Sequence, residues 1–162
     1  MQELVWRTML RIVLVNPEIA PNTGNIARLC VCNSLQLHLV HPLGFTINDK
    51  NLKRAGMDYW QHLDLVEHAD LDAFLAHLPS EARLRWFSTK SDVAHWDVDY
   101  KDGDWLVFGA ESRGLPDRLR TTHPEGWVQI PMGGGFVRSL NLSSSVAIGT
   151  YEALRQCRVF AD

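Results

Sequence analysis

What this 162-residue chain has little of narrows its class before any motif is considered. Its three cysteines, Cys30, Cys32 and Cys157, are an odd count, and a helix would turn the first two to different faces. A disulfide framework and a zinc site are both disfavoured, no metal is implied, and a reducing cytoplasmic setting is expected. Long hydrophobic runs are missing: LRIVLV and WLVF fall far short of the roughly 20 apolar residues that span a bilayer. The opening MQELVWRT lacks the apolar core and small-residue cleavage site of a secretory signal, and a second methionine, Met9, follows it. Residues 1–8 therefore read as an N-terminal extension ahead of a single domain over 9–162. Positive charge is not in excess either. A net charge of −3 excludes a protein that coats nucleic acid through bulk charge and leaves room only for a local basic face.

Two nucleotide signatures are also absent. Where a dinucleotide-binding fold would carry G-x-G-x-x-G, directly after its first strand, this chain has NPEIAPNTGN. No G-x-x-x-x-G-K-[ST] occurs, which disfavours a phosphate-cradling nucleotide hydrolase.

What is present is ordinary globular material, 46% hydrophobic and 22% charged. Leu10 to Val15 reads as a buried strand, and NPEIAPN after it as a turn. Asn22 or Thr23 can cap a helix running to about Ser34, and a second strand, Leu37 to His41, stops at Pro42. DKNLKRAG reads as a short surface helix. A weak strand follows around Leu63 to Val66, then a helix from Asp70 to Leu78 and strands at Leu84 to Ser88 and Trp105 to Phe108. Trp127 to Ile130 is a short strand, PMGGGFVRS a flexible loop, and Asn141 to about Arg158 a long helix. The alternation predicts an α/β fold with a mostly parallel sheet flanked by helices. The last helix carries two adjoining apolar stripes, Leu142, Val146, Thr150, Ala153, Cys157 and Ala147, Tyr151, Leu154. It is either a central core helix or one shared between the core and a dimer interface, and the sequence does not separate the two.

Three segments join strand ends to helix starts: NPEIAPNTGNIAR at 16–28, FGAESRGLP at 108–116 and IPMGGGFVRSLNLSSSVAIGTYE at 130–152. In parallel α/β sheets such edges form the ligand crevice. Taken singly, each has a plain structural explanation: glycines for turns, asparagine for capping, serines for a helix N-terminus.

Together, N-x-G-N-I-x-R, E-S-R-G-L-P and S-L-N-L-S-x-S-x-A-I-x-x-Y-E resemble, in order and spacing, the three motifs of the SPOUT RNA methyltransferases. The span from Met9 to about Arg155, with LKRAGMDYW at 52–60, is similar to the minimal single-domain branch that methylates the 2′-hydroxyl of the wobble cytidine or uridine in tRNA. The resemblance departs at GGGFV before Arg138, a longer glycine-rich run than the pattern carries. It implies a C-terminal trefoil knot, which no strand and helix pattern would suggest, knots being almost absent among folds. It also implies S-adenosyl-L-methionine as cofactor, with contacts at Phe87, Ser88, Gly109, Glu111, Ile130, Met132 and Ser139. For Phe87 and Ile130, plain core packing is the competing reading.

Transfer to a ribose hydroxyl is an in-line displacement that needs alignment, exclusion of water and relief of a proton. By the same resemblance Arg28 is the first catalytic candidate, facing the crevice as a permanent cation that orients the hydroxyl or a neighbouring phosphate. Asn25, Ser139, Asn141 and Tyr151 accompany it. Lys53, Arg54, Lys90, Arg113, Arg138 and Arg155 are the candidate RNA contacts, each also readable as a solvated surface charge. Tyr59 and Trp60 either stack on unpaired anticodon bases or pack in the core. The implied partners are the tRNA anticodon loop and a second copy of the chain, with no membrane. Two alternatives stand beside this reading: the same chemistry on another tRNA position or on ribosomal RNA, and a non-catalytic RNA-binding module with the same fold.

Overall fold

The computed structural model describes residues 9–48, 50 and 58–157; the surface helix expected over DKNLKRAG (apart from Lys50), the candidates Lys53 and Arg54, and residues 1–8 lie outside them. Six strands form one wholly parallel sheet: β1 (Arg11–Val15), β2 (Gln36–Val40), β3 (Leu65–His68), β4 (Leu84–Phe87), β5 (Trp105–Phe108) and β6 (Trp127–Val128), in the order β3-β2-β1-β5-β4-β6. Among the described residues, the helices α1 (Ala20–Cys32), α2 (Leu71–His77), α3 (Arg118–Thr122) and α4 (Leu142–Cys157) accompany them. Among the described residues no helix is long and apolar enough to cross a membrane.

The period-two alternation of each strand divides the core into two layers. Ile12, Leu14, Leu37, Leu39, Leu106 and Phe108 face Ile26, Ala27 and Cys30 of α1 and Val146, Ala153 and Leu154 of α4. Val13, Val15, Val40, Trp105 and Val107 face the opposite way, onto Leu71 and Phe74 of α2 and Leu119 of α3. Covering both faces with helices is what lets the strands be apolar throughout.

Several boundaries differ from the sequence reading. α1 begins at Ala20, before the expected caps; Ile19 is its N-cap and makes no side-chain cap bond. Pro21 sits in the first turn, where its missing N–H has no partner to lose. Asn22 and Thr23 are thereby buried inside the helix start. β3 lies two residues later than expected, because a 3-10 turn at Asp58–His62 occupies the approach. Asp70 is the N-cap of α2, its carboxylate accepting from the Ala73 N–H at 2.7 Å. β6 keeps only two residues. The Gln129 N–H leaves it to pair with the Val93 carbonyl at 2.8 Å. The helix α3 and a 3-10 turn at His95–Asp97 were not anticipated. Tyr59 and Trp60 pack against the core, and the Tyr59 hydroxyl donates to the Gly24 carbonyl at 2.8 Å, so packing is the reading the structure supports.

Candidate active site

The strand order reverses between β1 and β5: the chain adds β2 and β3 on one side of β1 and places β4 and β5 on the other. Open parallel sheets bind ligands at such a reversal, beyond the C-terminal strand ends. Beside that reversal, off the ends of β4, β5 and β6, a cavity of about 550 Å³ opens, within the ordinary size of small-molecule sites. All three sequence segments line it, through Asn22, the run from Gly109 to Pro116, and Ile130, Met132, Arg138 to Leu142 and Ser145.

Its apolar wall is an aromatic pair. Phe87 at the end of β4 and Phe108 at the end of β5 stack with ring centroids 4.4 Å apart and planes 19° apart. Gly149 of α4 makes room for that pair, since a Cβ there would stand 2.7 Å from the Phe87 ring. Gly109 carries a different constraint: a Cβ would overlap the backbone of Gly114 and Leu115. The 109–114 turn closes tightly, the Gly114 N–H donating to the Ala110 carbonyl at 2.8 Å with Gly114 at a φ of +67°.

A hydrogen-bonded brace joins the three segments. The Glu111 carboxylate accepts from the Glu18 N–H (2.7 Å), the Ile19 N–H (3.1 Å) and Asn22 Nδ2 (3.3 Å), satisfying orphan donors at the start of α1. Asn141 Nδ2 donates to Asn22 Oδ1 at 3.0 Å, while Asn141 Oδ1 caps α4, accepting from the Ser143 N–H at 2.9 Å. Ser112 Oγ donates to Glu18 Oε1 at 2.6 Å. The side chains of Glu111 and Asn141 are thus committed to holding loops together.

Around the opening, Lys90, Arg113, Arg120 and Arg138 outweigh Glu111 and Asp117. Lys90 pairs with Asp117 at 3.2 Å and Arg113 with Glu18 at 3.7 Å, while Arg120 lies over the Trp127 ring at 4.4 Å. Arg138 has no acidic partner among the described residues. Behind the aromatic wall, His95 is buried with its ring 6.1 Å from Phe87, and burial lowers its pKa. Among the described residues no group of three or more His, Cys, Asp or Glu is arranged to hold a metal ion.

The cavity therefore gathers Phe87, Ser88, Gly109, Glu111, Ile130, Met132, Ser139 and Asn141, together with Lys90, Arg113 and Arg138. It does not gather the remaining candidates. Arg28, expected to face the crevice, is exposed on α1 with Asn25, because positions 21, 25, 28 and 32 form the stripe opposite the buried one. Tyr151 and Arg155 are exposed on α4; Tyr151 accepts from Asn33 Nδ2 at 3.4 Å, and Arg155 makes two bonds to Glu152, at 2.9 and 2.8 Å. Since α1 and α4 pack together, Arg28, Asn25 and Tyr151 belong to the outer surface of that helix pair. Sequence reasoning missed Asn22 as a brace, Gly149 and Arg120. A glycine inside an apolar helix was the readable signal for Gly149; Arg120 had none, lying on an unanticipated helix.

The fold and cavity define a SpoU-type methylase: the SpoU rRNA Methylase family matches residues 9–151, and the chain belongs to that family. It is 47% identical over 150 residues to the tRNA (cytidine(34)-2'-O)-methyltransferase of Burkholderia pseudomallei, an alignment covering 91% of this chain and 96% of that one. A solved structure described as giving structural insights into the 2-OH methylation of C/U34 on tRNA is 46% identical, with a TM-score of 0.85 over 92% of this chain and 96% of that one. The SpoU methyltransferase AviRb from Streptomyces viridochromogenes, solved in complex with AdoMet, shares the fold at 23% identity and a TM-score of 0.76, over 94% of this chain and 62% of that one.

Proposed function

We propose that this protein transfers a methyl group from S-adenosylmethionine to the 2′-hydroxyl of the wobble pyrimidine nucleotide of tRNA, in the cytoplasm. The observation that carries the reading is the convergence of three distant motif segments on one cavity through Glu111, Asn22 and Asn141. Relatives of nearly the full length of this chain, named for that reaction, support the substrate.

The cavity fits the cofactor in chemistry as well as size. The Phe87–Phe108 pair and Ile130 offer an apolar slot for a flat base, and the tight 109–114 turn brings backbone polar groups alongside it. When bound there, S-adenosylmethionine supplies an electrophilic methyl group. Met132, Ser139 and Leu140 also line the cavity and would exclude water from it. The knot implied by the motif resemblance belongs to the same reading.

Arg28 supplies fixed positive charge that holds the ribose hydroxyl or the adjoining phosphate and favours alkoxide character at the attacking oxygen. One chain keeps Arg28 outside its cavity, so this role goes with pairing of two copies. Isologous pairing through the outer surface of α1 and α4 would cover Ile148 and Tyr151 and bring Arg28 toward the partner's cavity. Lys90, Arg113 and Arg138 stand where the RNA backbone would approach.

The test is transfer of labelled methyl from S-adenosylmethionine to total tRNA and, separately, to ribosomal RNA, followed by mapping of the labelled nucleoside. A 2′-O-methylated pyrimidine at the wobble position, lost in Arg28→Ala, is the expected result. Label in ribosomal RNA, or at another tRNA position, would overturn the substrate. RNA binding with no transfer would replace the enzyme by a binding module.

A further inference from the structure

The segment that closes the cavity between Ile130 and α4 carries a fully exposed aromatic ring, Phe136, with Val137 beside it also exposed. Both flanks of this segment line the cavity, Met132 before it and Arg138 to Leu140 after it. The three residues preceding the ring are Gly133, Gly134 and Gly135, and a Cβ at any of them would meet nothing within 4 Å. None of the three has a positive φ. Neither crowding nor backbone handedness requires glycine there; what three glycines provide is freedom for the ring to reorient.

An exposed apolar side chain alone needs no explanation. This one stands two positions from Arg138, a cavity cation with no acidic partner among the described residues. An exposed aromatic ring two residues from an uncompensated guanidinium, on a segment flanking a site, is the chemistry that single-stranded nucleic acid selects: the ring takes a base face and the cation a phosphate.

We propose that Phe136 stacks on an unpaired base next to the methylated nucleotide while Arg138 takes the adjoining phosphate. The inference rests on the RNA ribose methylation proposed above and names how that site holds its substrate. It also gives the glycine run a purpose, since it leaves the ring free to reach the face of an incoming base.

The experiment measures binding and methylation of an anticodon stem-loop by wild type, Phe136→Ala, Phe136→Leu and Phe136→Trp, with a duplex RNA of equal length as control. Phe136→Ala and Phe136→Leu are expected to weaken stem-loop binding by about 5- to 150-fold. Phe136→Trp should retain it. Duplex binding and S-adenosylhomocysteine affinity should stay at wild-type values in all three. Rescue by leucine, or equal losses on duplex and loop, would overturn stacking. Conversion of a wild-type dimer to monomer by Phe136→Ala in sedimentation would overturn the proposal and assign the ring to a second copy. If wild type methylates the stem-loop and Phe136→Ala matches it, this inference alone fails; if wild type leaves the stem-loop unmodified, the proposed function fails first.

Discussion

Asn22 and Asn141 are bonded side chain to side chain, Nδ2 of Asn141 donating to Oδ1 of Asn22 at 3.0 Å, although 119 positions separate them. Asn22 passes the connection on, since its own Nδ2 donates to Glu111 at 3.3 Å. One buried amide thus fixes the first helix, the 109–116 turn and the start of the last helix relative to one another. The Asn22→Ala variant removes the acceptor of the exposed Asn141 amide and one donor from Glu111, so at about 0.5–1.5 kcal/mol for each bond it should lose about 1–3 kcal/mol of stability. Thermal melting measures this, and Glu111→Ala combined with Asn22→Ala should cost less than the two single changes added together. Additive losses would show that the brace does not act as a unit.

Gly149→Ala sets two effects against each other. Helix propensity alone favours alanine by about 1 kcal/mol. The added methyl, however, would stand 2.7 Å from the Phe87 ring and 3.4 Å from Phe108, and overpacking costs about 1–3 kcal/mol. The Phe87 ring has to give way, which alters the aromatic wall. We expect little net change in melting temperature but at least about tenfold weaker S-adenosylhomocysteine binding by calorimetry, a factor of ten corresponding to about 1.4 kcal/mol. Unchanged affinity would remove Phe87 from the cofactor wall.

The parts of this architecture legible in the sequence were those with a local cause. Apolar runs such as RIVLV read directly as buried strands, and Asp70 and Asn141 stand at helix starts because their side chains accept from nearby N–H groups. Of the cavity wall, Phe108 lies in a motif segment at a strand end, whereas Phe87 was reached only through the resemblance. What was not legible depends on distance and on faces. Nothing local says that Asn22, a natural capping residue, is held inside a helix by partners far along the chain. Nor does helical spacing distinguish an exposed stripe with a function from a merely solvated one, so Arg28 was a candidate only by resemblance.

Asp104 has no solvent exposure, and it collects Arg83 Nε at 2.8 Å, the Lys101 N–H at 3.1 Å and Arg85 Nε at 3.6 Å. Its own carbonyl accepts from the Arg11 N–H at 3.1 Å, at the start of β1. Removing one partner of a buried ion pair costs about 3–5 kcal/mol, because the other charge is left uncompensated. Arg83 is partly exposed and can rehydrate, so Asp104→Ala should fall near the lower end, about 3 kcal/mol. Urea denaturation reads this directly. A loss under about 0.5 kcal/mol, the range of ordinary surface changes, would contradict it.

His38 gives stability a pH dependence of fixed sign. It lies wholly buried, with Nε2 2.8 Å from Gln36 Oε1 and Nδ1 2.8 Å from His68 Nε2. Gln36 Nε2 is occupied by Asp64 at 3.1 Å, so its oxygen faces His38, which must donate through Nε2 and accept at Nδ1. A second proton on His38 would replace that acceptor with a donor. Burial, then His68 of β3, His77 of α2 and Arg11 of β1, lower its pKa from 6.5 to about 3. The pKa values of His68 and His95 are lowered too, burial again being the larger cause. Between about pH 6.5 and about 3 the unfolded chain binds the proton that the fold refuses, so stability is full above this window and falls as pH drops through it. At pH 5 the loss from His38 alone should be about 2 kcal/mol relative to pH 7.5. The His38→Gln variant should be less stable at pH 7.5 yet lose less on going to pH 5. An identical loss in the two proteins would place the pH dependence elsewhere.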